Sequence, residues 1–184
     1  MKSISCVLLI VVGLVASLGA QAPARPQSPS YTPRGSLQDY FVGTWRLVLT
    51  ENRYADGKAE PYPEYGPKGL GYLMYDRTGH MCAQLMHPSR PKWADEDHPS
   101  PAEALSAISG FASYCGTYEI VEKEQTMVHH PETAWKPGYV GTVQRRPYHL
   151  TSQDAFYFSG TDTETRPTGE KVDVVWTISW VRVK

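Results

Sequence analysis

The side chains best suited to chemistry sit in the second half of the chain, at His129-His130 and at Gln144-Arg145-Arg146. Neighbouring residues of a strand point to opposite faces, so a regular strand turns one histidine inward and one outward. The same holds for the two arginines. An inward histidine can hydrogen-bond a ligand or move a proton, and its structural alternative is a bond to the backbone. An inward arginine must be paired, either with an acidic ligand oxygen or with a carboxylate such as Glu119 or Glu132. The alternation of Met127 and His129 against Val128 and His130 leaves the phase open. The site reading takes His130 and Arg146 as inward, sharing one polar wall with Tyr118; Tyr72, Gln84 and Gln144 complete the candidate ligand contacts.

Diverging histidines cannot both reach one metal from a regular strand, and no neighbouring His or carboxylate has the spacing of a zinc motif. No metal ligand is therefore assigned. The chain has no Gly-x-Ser-x-Gly elbow, phosphate loop, dinucleotide fingerprint or His-Glu-x-x-His helix, and no cofactor is called for.

The elements that must position these residues are short strands separated by turn residues. Residues 45–50, 71–75, 80–86, 113–121, 126–130, 139–150, 155–159 and 172–183 read as strands. In the last, Val174, Trp176, Ile178 and Trp180 alternate with polar neighbours. Asp56-Gly57 is a hairpin-type turn. About eight to ten strands without intervening helices predict an all-β fold, a closed antiparallel barrel. One helix interrupts the series at about 101–109, where Ser100-Pro101-Ala102-Glu103 forms a capping box with Pro in the first turn. The long loop carrying it, from 87 onward, is placed to cover a barrel mouth.

The two ends of the barrel domain carry a structural pair. Trp45, in Val42-Gly43-Thr44-Trp45-Arg46-Leu47, plugs the floor, and Arg182 on the last strand stacks across its indole.

The 184 residues suffice for one domain. Lys2, an apolar run over 6–16 and small residues at Ala20 and Ala22 predict a secretory signal peptide over 1–20, cleaved near 20–22. The apolar run falls short of the ~20 residues that span a bilayer, so no stable membrane anchor is expected. The expected location is secreted or periplasmic. Residues 21–36, rich in Pro and Ser, read as a flexible linker, and 37–184 as the barrel domain. Cys82 and Cys115 are read as two buried thiols, with a disulfide as the alternative. With 18 Lys and Arg against 19 Asp and Glu, and no basic run, nucleic acid is disfavoured as a partner.

The chain resembles the bacterial and fungal lipocalin-like domain family from about Leu37 to Arg182. The resemblance rests on the Trp45 motif, Gly71-Tyr72-Leu73-Met74-Tyr75, Met81-Cys82-Ala83-Gln84-Leu85-Met86 followed by Arg90-Pro91, and Tyr114-Cys115-Gly116-Thr117-Tyr118. His129-His130 and Val140-Gly141-Thr142-Val143-Gln144-Arg145-Arg146 complete it. It implies a lipocalin-like β-barrel with a central cavity. It does not imply a single activity, although natural-product relatives keep an isomerase or cyclase role open. Where the family tends to have Pro-Asn-Trp, this chain has Pro137-Gly138-Tyr139.

Three functions follow as expectations. The leading one is an exported protein binding a small apolar or aromatic molecule, with room for one acidic oxygen. The second is a cofactor-independent isomerase, cyclase or hydrolase, with His130 moving a proton and Arg146 holding an oxyanion. The third is a structural envelope protein with a filled barrel.

Overall fold

The structure is a computed structural model, and residues 31–166 and 168–184 are described. The expected signal peptide and most of the expected linker lie outside the described residues. The linker's last residues, 31–36, lie against the barrel: the Tyr31 hydroxyl donates to Gln153 Oε1 at 3.0 Å, and Tyr31 N donates to the Leu150 carbonyl.

A five-residue helix, α1 (Leu37–Phe41), precedes the strands β1 (Gly43–Tyr54), β2 (Ala59–Pro61), β3 (Leu70–Tyr75) and β4 (His80–Met86). Helix α2 (Pro101–Ser109) leads into β5 (Phe111–Val121), β6 (Thr126–Ala134), β7 (Gln144–Ser152), β8 (Ala155–Thr165) and β9 (Lys171–Arg182). The sheet runs β2-β1-β3-β4-β5-β6-β7-β8-β9, and β1 also pairs with β9. That pairing closes an eight-stranded antiparallel barrel, with β2 as an extra strand in the Asp56-Gly57 hairpin. The fold is all-β, as the strand spacing predicts. Helix α2 has the expected capping box, Ser100 Oγ accepting from Glu103 N while Glu103 Oε2 accepts from Ser100 N. Among the described residues no helix is long and apolar enough to cross a membrane.

Burial follows alternation. On β3 and β4 the inward set is Leu73, Tyr75, Met81, Ala83 and Leu85, which puts Tyr72 and Gln84 opposite each other on the outer face. The apolar residues alternate on one phase, and the closed sheet buries that phase.

One end of the barrel is plugged by aromatic rings. Trp45 is fully buried, pairs with Arg182 in the β1–β9 ladder, and donates its indole N–H to the Phe41 carbonyl at 2.8 Å. The Arg182 guanidinium sits 4.1 Å from the Trp45 ring centroid. It also donates to the carbonyls of Val42 and Tyr40, which cap the end of α1. Gly43, at φ 131°, leaves room for this guanidinium, since a Cβ there would lie 3.0 Å from Arg182 Nη1. Tyr40, Phe41, Phe156 and Tyr148 pack around the plug edge-to-face. Helix α1 gave no sequence signal beyond the start of the fold, yet it supplies two fully buried rings.

Cys82 and Cys115 form a disulfide, which corrects the reading of two free buried thiols. Their strands are neighbours, the two residues are directly opposed, and their Cα atoms are 4.1 Å apart. They face outward and are only half-buried, because the inward positions on either side belong to Met81, Ala83, Tyr114 and Gly116.

Two outcomes follow from this architecture. Trp45→Ala should lower stability by about 3–5 kcal/mol, as for other deleted large buried aromatics, and a loss below ~1 kcal/mol in denaturant titration contradicts the plug. Alkylation of the unfolded protein should label Cys82 and Cys115 only after reduction. Labelling of both without reductant contradicts the disulfide.

Candidate functional site in the upper barrel

Above the aromatic plug the barrel holds a chamber of about 250 Å³. Its lower wall is Leu73, Ala83, Leu85, Ala112, Phe158 and Ile178, and its rim is aromatic, with Tyr62, Tyr65, Trp135, Tyr139 and Trp176. The polar groups that reach it are Tyr114, His129, Arg146 and Asp162, with Trp180 deeper in. The chamber shares Tyr62, Tyr65, Trp135, Asp162 and Trp176 with an outer vestibule of about 1090 Å³, also lined by Ile108 and Ser109 at the end of α2. The helical excursion thus flanks the mouth.

The inward histidine is His129. It is buried and pairs across the ladder with Tyr118 and Gln144, while His130 faces out and meets Glu119 Oε1 at 3.0 Å. The β5–β6 hairpin sets this phase, pairing Val121 with Thr126 and so the inward Tyr118 with His129, and the register shifts only beyond Pro131. Gly116 lies so close beneath β6 that a Cβ would come 2.0 Å from the His130 carbonyl oxygen. The strand alternates as expected, but nothing in the run of residues marks which phase the hairpin turns inward.

His129 is held at both ring nitrogens. The Tyr75 hydroxyl lies 2.6 Å from Nε2 and the Tyr114 hydroxyl 2.8 Å from Nδ1. A neutral imidazole has one donor and one acceptor nitrogen, so one tyrosine accepts while the other donates. Burial, with help from the Arg146 charge, holds the His129 pKa well below the usual histidine value. Burial likewise pushes Tyr75 well above the usual phenol value and Tyr114 up to about 12. The Tyr75-His129-Tyr114 row is therefore neutral at physiological pH.

Arg146 does face the chamber. Its Nη2 donates to the Tyr139 hydroxyl at 2.7 Å, and its guanidinium lies 5.7 Å from the Trp176 ring centroid. Gly160 lets Trp176 lie flat against β8, since a Cβ there would come within 2.6 Å of the indole. Burial works against the Arg146 charge, but the hydroxyls of Tyr114, Tyr139 and Tyr62 outweigh it, and the guanidinium stays protonated. No carboxylate among the described residues comes within ion-pair distance of it. Glu119 meets His130, Glu132 is exposed on the outer face, and Arg145 pairs outside with Glu124.

The remaining predicted contacts divide. Gln144 supports the site indirectly, accepting from the Tyr139 hydroxyl at 2.9 Å. Tyr118 points inward but belongs to the plug; it packs on Tyr75 and donates to the Asp76 carbonyl at 2.7 Å. Tyr72, Gln84 and His130 are outside the barrel. Tyr65, Trp135, Tyr139, Asp162, Trp176 and Trp180 were missed as site residues. The inward phase of β9 was legible for Trp176 and Trp180, but Tyr65 and Trp135 come from loops without a periodic pattern. Trp180 Nε1 is buried and has no acceptor among the described residues. Among those residues no group of three His, Cys, Asp or Glu is placed to hold a metal.

The buried histidine makes stability depend on pH. The unfolded chain takes up a proton on His129 near pH 6.5 and the folded chain does not, so stability should fall as pH drops below about 6.5. The slope should reach up to about 1.4 kcal/mol per pH unit. Asp39, Asp76 and Asp154, whose pKa values are lowered by their hydrogen-bond partners, add their loss only below about pH 4. Denaturant titrations between pH 7 and 4.5 should show this slope in the wild type and not in His129→Gln. An equal slope in both contradicts the assignment.

A search of the curated proteins returns no match. The family model described as a lipocalin-like domain matches residues 42–183, which covers every strand, from the residue before β1 to the residue after β9. With the closed barrel and its chamber in place, the chain belongs to the lipocalin-like domain family.

Proposed function

We propose that this is an exported protein that binds a small, largely apolar or aromatic molecule in the barrel chamber, gripping one acidic or strongly hydrogen-bonding oxygen with Arg146. The observation that carries the reading is the Arg146 guanidinium, half-buried against Trp176 and hydrogen-bonded to Tyr139, with no carboxylate among the described residues within ion-pair distance. A partly desolvated cation of this kind favours an anion from outside the chain. The Trp180 indole N–H, which has no acceptor among the described residues, adds a second donor to the chamber. The unfilled volume favours a bound molecule over a barrel packed by its own side chains. His129 has both nitrogens engaged, so its role is to orient Tyr114 rather than to serve as a free base. Export rests on the leader-like residues 1–20, and the Cys82–Cys115 disulfide is compatible with an oxidising compartment.

The probe is 2-naphthoate, followed by tryptophan fluorescence and thermal shift, with its methyl ester as the uncharged control. The protein should bind the acid more tightly than the ester. Arg146→Gln should weaken the acid by about 10–100-fold, the loss of one charge-assisted hydrogen bond, and leave the melting temperature within about 5 °C. Equal affinity for acid and ester, or for wild type and variant, contradicts the reading.

A further inference from the structure

The chamber also carries a carboxylate at its mouth, on the strand next to that of Arg146: Asp162 of β8 is exposed where chamber and vestibule meet. Asp162 pairs across β8–β9 with the buried Val174, so both project to the inner face, and Asp162 lines both chamber and vestibule. Its Oδ1 accepts a local hydrogen bond from Thr163 N at 2.7 Å. Asp162 and Arg146 line the same chamber yet stay outside ion-pair distance of each other. Both charges act on the Tyr62 hydroxyl at the rim. Two opposite charges on neighbouring strands, one half-buried and one at the mouth, thus face a chamber of about 250 Å³, a volume suited to one small molecule.

From this juxtaposition we propose that the protein catalyses proton transfer at the carbon next to a carbonyl of a small cyclic or aromatic ketone, with Asp162 as the base and Arg146, itself positioned by Tyr139, holding the oxygen. The proposal rests on the binding reading above, because the same Arg146 locus receives the ligand oxygen. The carbonyl oxygen accepts from Arg146. Asp162 takes a proton from the adjacent carbon, the C–H electron pair becomes a C=C bond, and the carbonyl π pair moves onto oxygen. The enolate so formed is stabilised by fixed donors in a site shielded by aromatic rings. The acid form of Asp162 then returns the proton, to the same carbon or, where the enolate is conjugated, to the far end of the system. The first return exchanges a hydrogen and the second moves a double bond; neither needs an oxidant, reductant or cofactor. Tyr114, oriented by His129, is a positioning residue that keeps the donor wall fixed.

The test uses 2-tetralone in D2O, with exchange of the hydrogens beside its carbonyl followed by proton NMR on the full-length protein. Exchange should be saturable, faster than in buffer, and blocked by 2-naphthoate. Asp162→Asn should reduce the protein-dependent rate by about 10²-fold or more, the range for loss of a general base, while 2-naphthoate binding and melting temperature stay near wild type. Asp162→Glu should retain part of the rate. Equal exchange by wild type and Asp162→Asn, with 2-naphthoate still bound, overturns the catalytic proposal and leaves the binding reading standing. Failure of 2-naphthoate to bind the wild type overturns the binding reading and the catalytic proposal with it.

Discussion

Everything inside this barrel depends on the closure of β1 against β9, locked by Arg182 over Trp45. Without that contact the sheet has two open edges and its inward face is half-solvated. With it, the inward side chains of eight strands share one enclosed volume. The guanidinium does more than stack: its bonds to the Tyr40 and Val42 carbonyls hold α1 across the barrel end. Tyr40 and Phe41 then fill the lower barrel together with Phe156 and Trp45.

The plug determines where the open volume can lie. Large rings occupy the bottom, whereas the middle wall is built from Ala83, Ala112, Leu73 and Leu85. Gly160 adds space by letting Trp176 fold back onto the wall. The resulting chamber places the half-buried Arg146 beside Trp176 and Tyr139. A surface arginine is solvated, whereas a partly desolvated one with no carboxylate among the described residues is what the proposed reading pairs with a ligand oxygen. The Tyr75-His129-Tyr114 row connects plug to chamber through neutral hydrogen bonds, and so fixes the donor wall without adding a competing charge.

The barrel was legible in the sequence because its signals are local: alternation in 172–183, the Asp56-Gly57 turn, the capping box at Ser100 and the Trp45–Arg182 pair. The site was legible only in part. Arg146 faces the chamber, where the site reading puts it, whereas the partner of an inward arginine cannot be read from sequence alone. The choice between His129 and His130 is not legible because the phase of β6 is set by its cross-strand pairing with β5, Tyr118 against His129, which alternation does not reveal. Tyr72 and Gln84 were assigned from strand position, while Leu73 and Tyr75 hold the inward phase there. Asp162 escaped because its inward direction follows from its pairing with Val174, near the end of a long hairpin. Tyr139 is instructive: the sequence departs from its family pattern at Pro137-Gly138-Tyr139, and that tyrosine turns out to be the direct partner of Arg146. The cysteines were misjudged because their separation in sequence hides a direct cross-strand opposition.

The proposed function turns on the half-buried Arg146 as the place where a ligand oxygen lands. Nitrogen-15 NMR of the arginine side chains during titration with 2-naphthoate measures it most directly. The account predicts a saturable shift of the Arg146 guanidinium signals, with Arg182 and Arg145 unmoved. Shifts confined to Arg145 or to the outer face around Tyr72 and Gln84, with Arg146 unchanged, would contradict it.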